Sequence, residues 1–189
     1  TYTIRNGDNL ERIGKTNSVT WELLSRINNI SNPGRIRLNQ TIKVLKGPFH
    51  AVVDKKKFTM DVYLGAPGGG PGSVYVATLP VGLGRDDSTP TGVWTVTPGQ
   101  KQKNPKFWGT ADLPPREPDD PENPLGEFWI ALTGTEGGAL GQEGYGVHGT
   151  IEPDSIGQMA SHGCIRMRDE DIKLVYELMV DGKSTVTVK

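Results

Sequence analysis

The chain has 189 residues, with 21 Lys and Arg against 22 Asp and Glu, which gives a formal net charge of −1. This balance excludes the strong electrostatic field of nucleic-acid-binding and membrane-surface proteins, and no apolar run could span a bilayer, so we expect no nucleic-acid partner and no membrane span. The 25 Gly and 14 Pro residues favour a loop-rich β protein over a helical bundle.

The first 45 residues have the pattern of a compact βααβ unit. Strand-like segments at 2–4 and 41–44 flank two segments in which apolar residues recur at helical spacing. Asp8 is expected to cap the first helix, and Glu11 three residues later would complete a capping box. Thr20 is expected to cap the second helix.

Five short motifs of this unit stand out: Tyr-Thr-Ile at 2–4, Asn-Gly-Asp-Asn-Leu at 6–10, Trp-Glu-Leu-Leu at 21–24, Ile-Asn-Asn-Ile at 27–30 and Leu-Asn-Gln-Thr-Ile at 38–42. By these motifs the unit resembles a LysM module, a family that binds glycans containing N-acetylglucosamine. The family usually has Thr where this chain has Asn9.

The resemblance implies a glycan-binding groove between two loops of the module. The alternative is that their Asn and Gly residues only form turns, which is the commoner role of such residues. The first loop contributes Gly7, Asp8 and Asn9, and the second contributes Ile30, Ser31 and Asn32.

A short linker, Lys-Gly-Pro at 46–48, leads into a second domain at 49–189 with a β pattern. Apolar and polar residues alternate between 58 and 64, which predicts a hairpin with one buried face. The basic run 55–57 is expected to be its solvated turn, and Asp86 and Asp87 are expected to lie in another solvated turn. Further strands are expected at 74–81, 93–97, 128–132 and 185–188.

The segment 98–127 is the least regular part of the chain. It contains Pro114, Pro115, Pro118, Pro121 and Pro124, and proline cannot continue a long helix or a central strand. We expect either a lid over a site or a solvent-exposed insertion. After it, a Gly-rich loop at 134–146 leads to His148, and helices are expected to begin at Pro153 and Asp169.

The only cysteine of the chain, Cys164, lies near the C-terminal end with His162 two positions before it. A thiol becomes a good nucleophile when its proton is removed, and histidine is the side chain best suited to this near neutral pH. Arg166 is expected to favour the thiolate. A single cysteine excludes an intramolecular disulfide. The alternative role of a lone cysteine is that of a small buried apolar residue.

His148, followed by Gly149-Thr150, precedes Cys164 by sixteen positions, and the cysteine lies within Ser161-His162-Gly163-Cys164-Ile165-Arg166-Met167. These residues resemble the signature of the YkuD-type L,D-transpeptidases, enzymes that remodel bacterial peptidoglycan. Thr-Pro-Thr-Gly at 89–92 also matches the family. The resemblance implies a fold that is mainly β with α, in which a βααβ LysM module precedes an antiparallel β sandwich or barrel carrying a few helices.

The resemblance also implies a mechanism. Cys164 would attack the third residue of a tetrapeptide stem, release D-Ala and transfer the acyl group to an amine, which gives a 3→3 cross-link. His148 would be the general base, oriented by the carbonyl of Gly149, and the N–H groups of Gly163 and Cys164 would stabilise the oxyanion. His162 would act through loop geometry. Arg166 would steady the loop or meet a substrate carboxylate, and the alternative is a structural salt bridge. Ser161 is also expected near the substrate, as a hydrogen-bonding residue of the loop.

No metal or organic cofactor is implied, and carbapenem β-lactams are expected inhibitors. The expected partners are the glycan strands and stem peptides of peptidoglycan. The expected location is extracytoplasmic, in the wall of a bacterial cell or spore, although this chain shows no signal peptide. Two alternatives stay open: an L,D-carboxypeptidase or other hydrolytic cysteine peptidase, and a non-catalytic wall-binding protein.

Overall fold

The computed structural model describes residues 1–189 and contains twelve strands and three α-helices. The helices are α1 (Leu10–Asn17), α2 (Trp21–Ile27) and α3 (Asp169–Leu178). The strands are β1 (Tyr2–Thr3), β2 (Thr41–Ile42), β3 (Phe49–Asp54), β4 (Thr59–Leu64), β5 (Val74–Pro80), β6 (Leu83–Gly84), β7 (Gly92–Lys103), β8 (Phe128–Gly137), β9 (Tyr145–His148), β10 (Met159–Ser161), β11 (Ile165–Arg166) and β12 (Thr185–Val188).

The N-terminal unit pairs β1 with β2 antiparallel and places α1 and α2 between them in sequence. Thr20 caps α2 as predicted, accepting a hydrogen bond from the N–H of Leu23. The predicted cap of α1 is wrong. Asn9 has the extended backbone of an N-cap, and its side chain accepts a hydrogen bond from the N–H of Arg12. The carboxylate of Asp8 instead accepts a hydrogen bond from the hydroxyl of Tyr2.

The rest of the chain is built on one eight-stranded sheet with the order β11-β9-β8-β7-β12-β3-β4-β5. Five of its seven pairings are antiparallel, while β12 with β3 and β11 with β9 are parallel. The sheet curls into a half-barrel, and a small parallel pair of β6 and β10 lies beside it. The predicted fold class, mainly β with α, is confirmed.

Some predicted elements have different limits in the structure. Strand β7 continues through residues 98–103, so the irregular segment is shorter than expected. The helix expected at Pro153 is a single 3₁₀ turn, because Ile156 directly after it has an extended backbone with a ψ of 132°. Lys55 is buried rather than solvated, because its ammonium pairs with Asp87 at 2.6 Å.

The N-terminal unit packs against α3. The backbone carbonyl of Glu177 on α3 accepts a hydrogen bond from the hydroxyl of Thr20, and its carboxylate accepts one from the guanidinium of Arg26. The Nζ of Lys103 lies 3.2 Å from Oε1 of Glu22. One hydrophobic cluster of 30 buried residues runs through both parts of the chain. The two parts therefore share a core, and the boundaries 1–45, 46–48 and 49–189 stay predictions.

None of the three helices has the length and apolar character that crossing a membrane requires.

Candidate active site

The parallel pair of β9 and β11 brings the two predicted catalytic segments together at one edge of the sheet. In its register Arg166 lies beside His148, and Ile165 beside Val147. Cys164 immediately precedes β11. Three residues from these two segments, His148, Cys164 and Arg166, border one cleft of about 740 Å³.

His148 is held in one orientation by two contacts. Its Nδ1 lies 2.6 Å from the carbonyl oxygen of Gly149, and its ring stacks on Trp129 with 5.8 Å between centroids. A carbonyl only accepts, so Nδ1 carries the hydrogen and the neutral ring keeps a lone pair on Nε2. Burial lowers the pKa of His148 to about 4. The residue is therefore a neutral base at neutral pH.

Cys164 is a neutral thiol in this environment. Burial raises the pKa of Cys164 to about 11, against the smaller opposing effects of the Gly146 N–H and the charge of Arg166. Arg166 favours the thiolate as expected, but desolvation outweighs its charge, so the thiol stays protonated. The proton of the thiol has to leave during the attack on the substrate, which requires a base at hand.

The turn before Cys164 is shaped by Ser161. Its hydroxyl donates to the carbonyl of Cys164 at 2.6 Å and accepts from the N–H of Gly163 at 3.1 Å. The predicted role of the Gly163 N–H in an oxyanion hole is therefore not supported. The N–H of Cys164 has no acceptor within the chain and is the donor that remains. Ser161 is buried, and its substrate contact stays a prediction.

His162 lies on the outer side of the same turn. Its Nε2 is 2.9 Å from Nη2 of Arg85 and 3.5 Å from a carboxylate oxygen of Asp112. A guanidinium only donates, so the Nε2 lone pair of the neutral ring is occupied by Arg85. This differs from His148, whose Nε2 is free.

Arg166 makes an ion pair with Glu152 at 2.8 Å, and its side chain is only 12% exposed. Arg166 therefore forms a structural salt bridge, and it also borders the cleft. No group of three or more His, Cys, Asp or Glu side chains is close enough to hold a metal ion.

The Pro-rich segment forms one wall of the cleft. Phe107 and Arg116 pair antiparallel within it, and its base is tied by the buried amide of Asn123 to the carbonyl of Pro105 at 2.7 Å. Trp108 lines the cleft with 78% of its surface exposed. The segment therefore borders the cleft, and its role as a lid stays a prediction. Sequence reasoning missed Trp108 and Trp129, whose only signal was their aromatic character.

The N-terminal module has a separate cleft of about 610 Å³. Of the residues predicted to bind glycan, Ile30 and Asn32 line it, together with Ser31. The residues of the first loop do not line this cleft. Gly7 forms a turn with a positive φ of 82°, Asp8 accepts the hydrogen bond from Tyr2, and Asn9 caps α1. The remaining residues around this cleft are Asn29, Arg35, Arg37, Leu38, Asn39 and Gln40.

Each of the two parts of the chain matches the model of a known family. The model of the YkuD L,D-transpeptidase catalytic domain matches residues 48–188, and the LysM model matches residues 2–45. The chain belongs to the YkuD L,D-transpeptidase family. The predicted order, a LysM module followed by this catalytic domain, is confirmed.

Two curated relatives illustrate the range of similarity. A Bacillus licheniformis protein named as L,D-transpeptidase YkuD is 26% identical over 96% of this chain and 94% of its own length. An Escherichia coli protein named as L,D-transpeptidase YcfS is 36% identical over 59% of this chain and 37% of its own length. The chain thus spans nearly all of the first relative and about a third of the second.

Solved structures support the fold. An L,D-transpeptidase from Mycobacterium tuberculosis superposes with a TM-score of 0.54 at 20% identity, over 77% of this chain and 59% of that one. The catalytic domain of the Enterococcus faecium L,D-transpeptidase acylated by ertapenem gives a TM-score of 0.52 at 23% identity, over 76% of this chain and 98% of that domain.

Proposed function

We propose that this L,D-transpeptidase family member forms a cysteine acyl-enzyme on tetrapeptide stems of peptidoglycan and transfers the acyl group to an amine. The observation that carries the proposal is the pairing of β9 with β11. It supports the proposal because Cys164, next to β11, borders the same cleft as a histidine whose Nδ1 is fixed by Gly149 and whose Nε2 is free.

In the first half-reaction, the Sγ of Cys164 attacks the carbonyl carbon of the third stem residue while its proton passes to Nε2 of His148. The carbonyl oxygen becomes an oxyanion that the N–H of Cys164 stabilises. The peptide C–N bond then breaks, the proton on His148 passes to the leaving amine, and D-Ala departs. A thioester on Cys164 remains.

In the second half-reaction, the amine of another stem attacks the thioester carbon. His148 accepts the proton of the amine, the C–S bond breaks, and the proton returns to the thiol. The product is a 3→3 cross-link. If water takes the place of the amine, the same steps give a tripeptide, which is the carboxypeptidase outcome.

The N-terminal module fits the same substrate. A LysM module that binds glycan strands would hold the enzyme on the polymer whose stems it processes, at an effective concentration far above that of free diffusion. The cleft of the module contains exposed polar side chains such as Asn32 and Asn39 and the exposed apolar Leu38. The working location that follows is the bacterial cell wall, outside the cytoplasm.

Product analysis tests the proposal. The enzyme is incubated with a purified tetrapeptide stem, with and without a second stem as acceptor, and the products are separated and weighed by mass spectrometry. We expect D-Ala and a 3→3 dimer. Tripeptide alone would identify a carboxypeptidase, and unchanged stem would support a non-catalytic wall-binding protein. The matched control is Cys164→Ser, which keeps the shape of the side chain and removes the thiol.

A further inference from the structure

Thr89 connects the turn before β7 to the turn that carries the nucleophile. Its side chain is buried. Its hydroxyl donates to the carbonyl oxygen of Gly163 at 2.9 Å and accepts from the N–H of Gly84 at 2.8 Å. Both directions are fixed, because a carbonyl can only accept and an amide N–H can only donate.

The carbonyl of Gly163 and the N–H of Cys164 belong to the same peptide unit. A trans peptide is planar, and its C=O and N–H point in opposite directions. The bond that holds the Gly163 oxygen towards Thr89 therefore directs the Cys164 N–H away from Thr89. That N–H has no acceptor within the chain.

This peptide needs an external tether because of the residue that precedes it. Gly163 has a φ of 137°, and a Cβ there would lie 2.7 Å from the ring of Tyr145. Only glycine fits, and glycine has the least intrinsic resistance to rotation of its peptide planes. The hydroxyl of Thr89 supplies the restraint that the glycine itself lacks.

Thr89 is in turn held by a buried lysine from the turn after β3. The ammonium of Lys55 donates to the carbonyl of Thr89 at 2.5 Å and pairs with the carboxylate of Asp87 at 2.6 Å. Asp86 and Asp87 both have positive φ, 52° and 62°, which is unfavourable for non-glycine residues. Lys55 thus stabilises a turn that would otherwise relax.

We propose that Thr89, held in place by Lys55, is a positioning residue that aims the Cys164 N–H at the developing oxyanion. The inference rests on the proposed acylation of Cys164. It assigns a mechanical role to two residues that touch neither substrate nor thiol, and it predicts that their loss weakens transition-state stabilisation while leaving the nucleophile itself intact.

The test compares two reactions of the same thiol. Acylation by a tetrapeptide stem passes through an oxyanion, whereas alkylation by iodoacetamide does not. In Thr89→Val we expect kcat for D-Ala release to fall about 10-fold to 100-fold, below the cost of losing an oxyanion donor outright, with KM and the alkylation rate nearly unchanged. Thr89→Ser keeps the hydroxyl and is expected to retain most activity. Thr91→Val is the matched control in the same turn.

Lys55→Met provides a second variant that keeps the hydroxyl and releases the turn, and we expect a smaller loss of the same selective kind. Equal losses of acylation and alkylation would overturn the inference, because they would indicate collapse of the site. Unchanged acylation in Thr89→Val would also overturn it. Failure of the wild-type protein to release D-Ala would instead count against the proposed function, so the two failures are distinguishable.

Discussion

The Nδ1 of His148 lies 2.6 Å from the carbonyl oxygen of Gly149, and this contact distinguishes the two histidines near the nucleophile. It leaves the Nε2 of His148 free to take a proton, whereas the Nε2 of His162 is engaged by Arg85. The assignment of the general base rests on this difference in available lone pairs.

The first prediction compares the two histidines. We expect His148→Ala to slow acylation of Cys164 by about 100-fold or more, the usual scale for a positioned base. His162→Ala is expected to cost distinctly less, because that ring acts only through the geometry of the turn. Single-turnover release of D-Ala measures both. A larger loss in His162→Ala than in His148→Ala would reverse the assigned roles.

The second prediction concerns pH. The pKa of His148 is lowered to about 4 by burial, so the folded enzyme keeps a neutral base down to that pH. We expect kcat/KM for D-Ala release to fall only as the pH drops through about 4. Because the pKa of Cys164 is raised to about 11, thiol alkylation is expected to keep increasing up to that pH. An acid limb near pH 6.5, together with alkylation that levels off below pH 8, would indicate a resting thiolate–imidazolium pair.

The third prediction follows from the stacking of Trp129 on His148. In Trp129→Leu, water reaches the imidazole, so the pKa of His148 moves up towards its ordinary value and the acid limb moves up with it. The matched control is Trp108→Leu, which changes an exposed tryptophan of the same cleft. We expect no shift of the limb there. A limb that stays in place in Trp129→Leu would show that the ring does not desolvate the base.

The fourth prediction concerns the LysM cleft. Leu38 is 62% exposed and lines it, so Leu38→Asp is expected to weaken co-sedimentation with intact peptidoglycan and to leave turnover of a soluble stem unchanged. Leu45→Asp alters another exposed leucine outside the cleft and serves as control. Equal binding by the two variants would argue against this glycan site. Point substitutions are preferable to deletion of residues 1–45, which would expose the core shared with α3.

The fifth prediction concerns β-lactams. A carbapenem offers a strained carbonyl to the nucleophile, and an Enterococcus faecium domain of the same fold is described as acylated by ertapenem. We expect a stable adduct of one carbapenem on the wild-type protein and none on Cys164→Ser. Absence of an adduct on the wild-type protein after prolonged exposure would contradict an accessible thiol.

The sequence sufficed for the elements that depend on local pattern. The spacing of His148 and Cys164 within a family signature indicated one shared site, and both border the same cleft. Thr20 correctly predicted the start of α2. What it missed depends on contacts between distant segments. A run of three lysines is typical of a solvated turn, and nothing local shows that Lys55 is buried against a turn more than thirty residues away. The hydrogen bond from the N–H of Gly163 to the hydroxyl of Ser161 likewise depends on the conformation of the turn.

The central claim is that Cys164 carries the acyl group of a stem peptide. Its most direct test is the intact mass of the protein after rapid mixing with a tetrapeptide stem and acid quenching. We predict a mass increase equal to the stem minus D-Ala, located on the peptide that contains Cys164 and absent from Cys164→Ser. Release of D-Ala by Cys164→Ser at the wild-type rate, or an adduct on any other residue, would contradict the account.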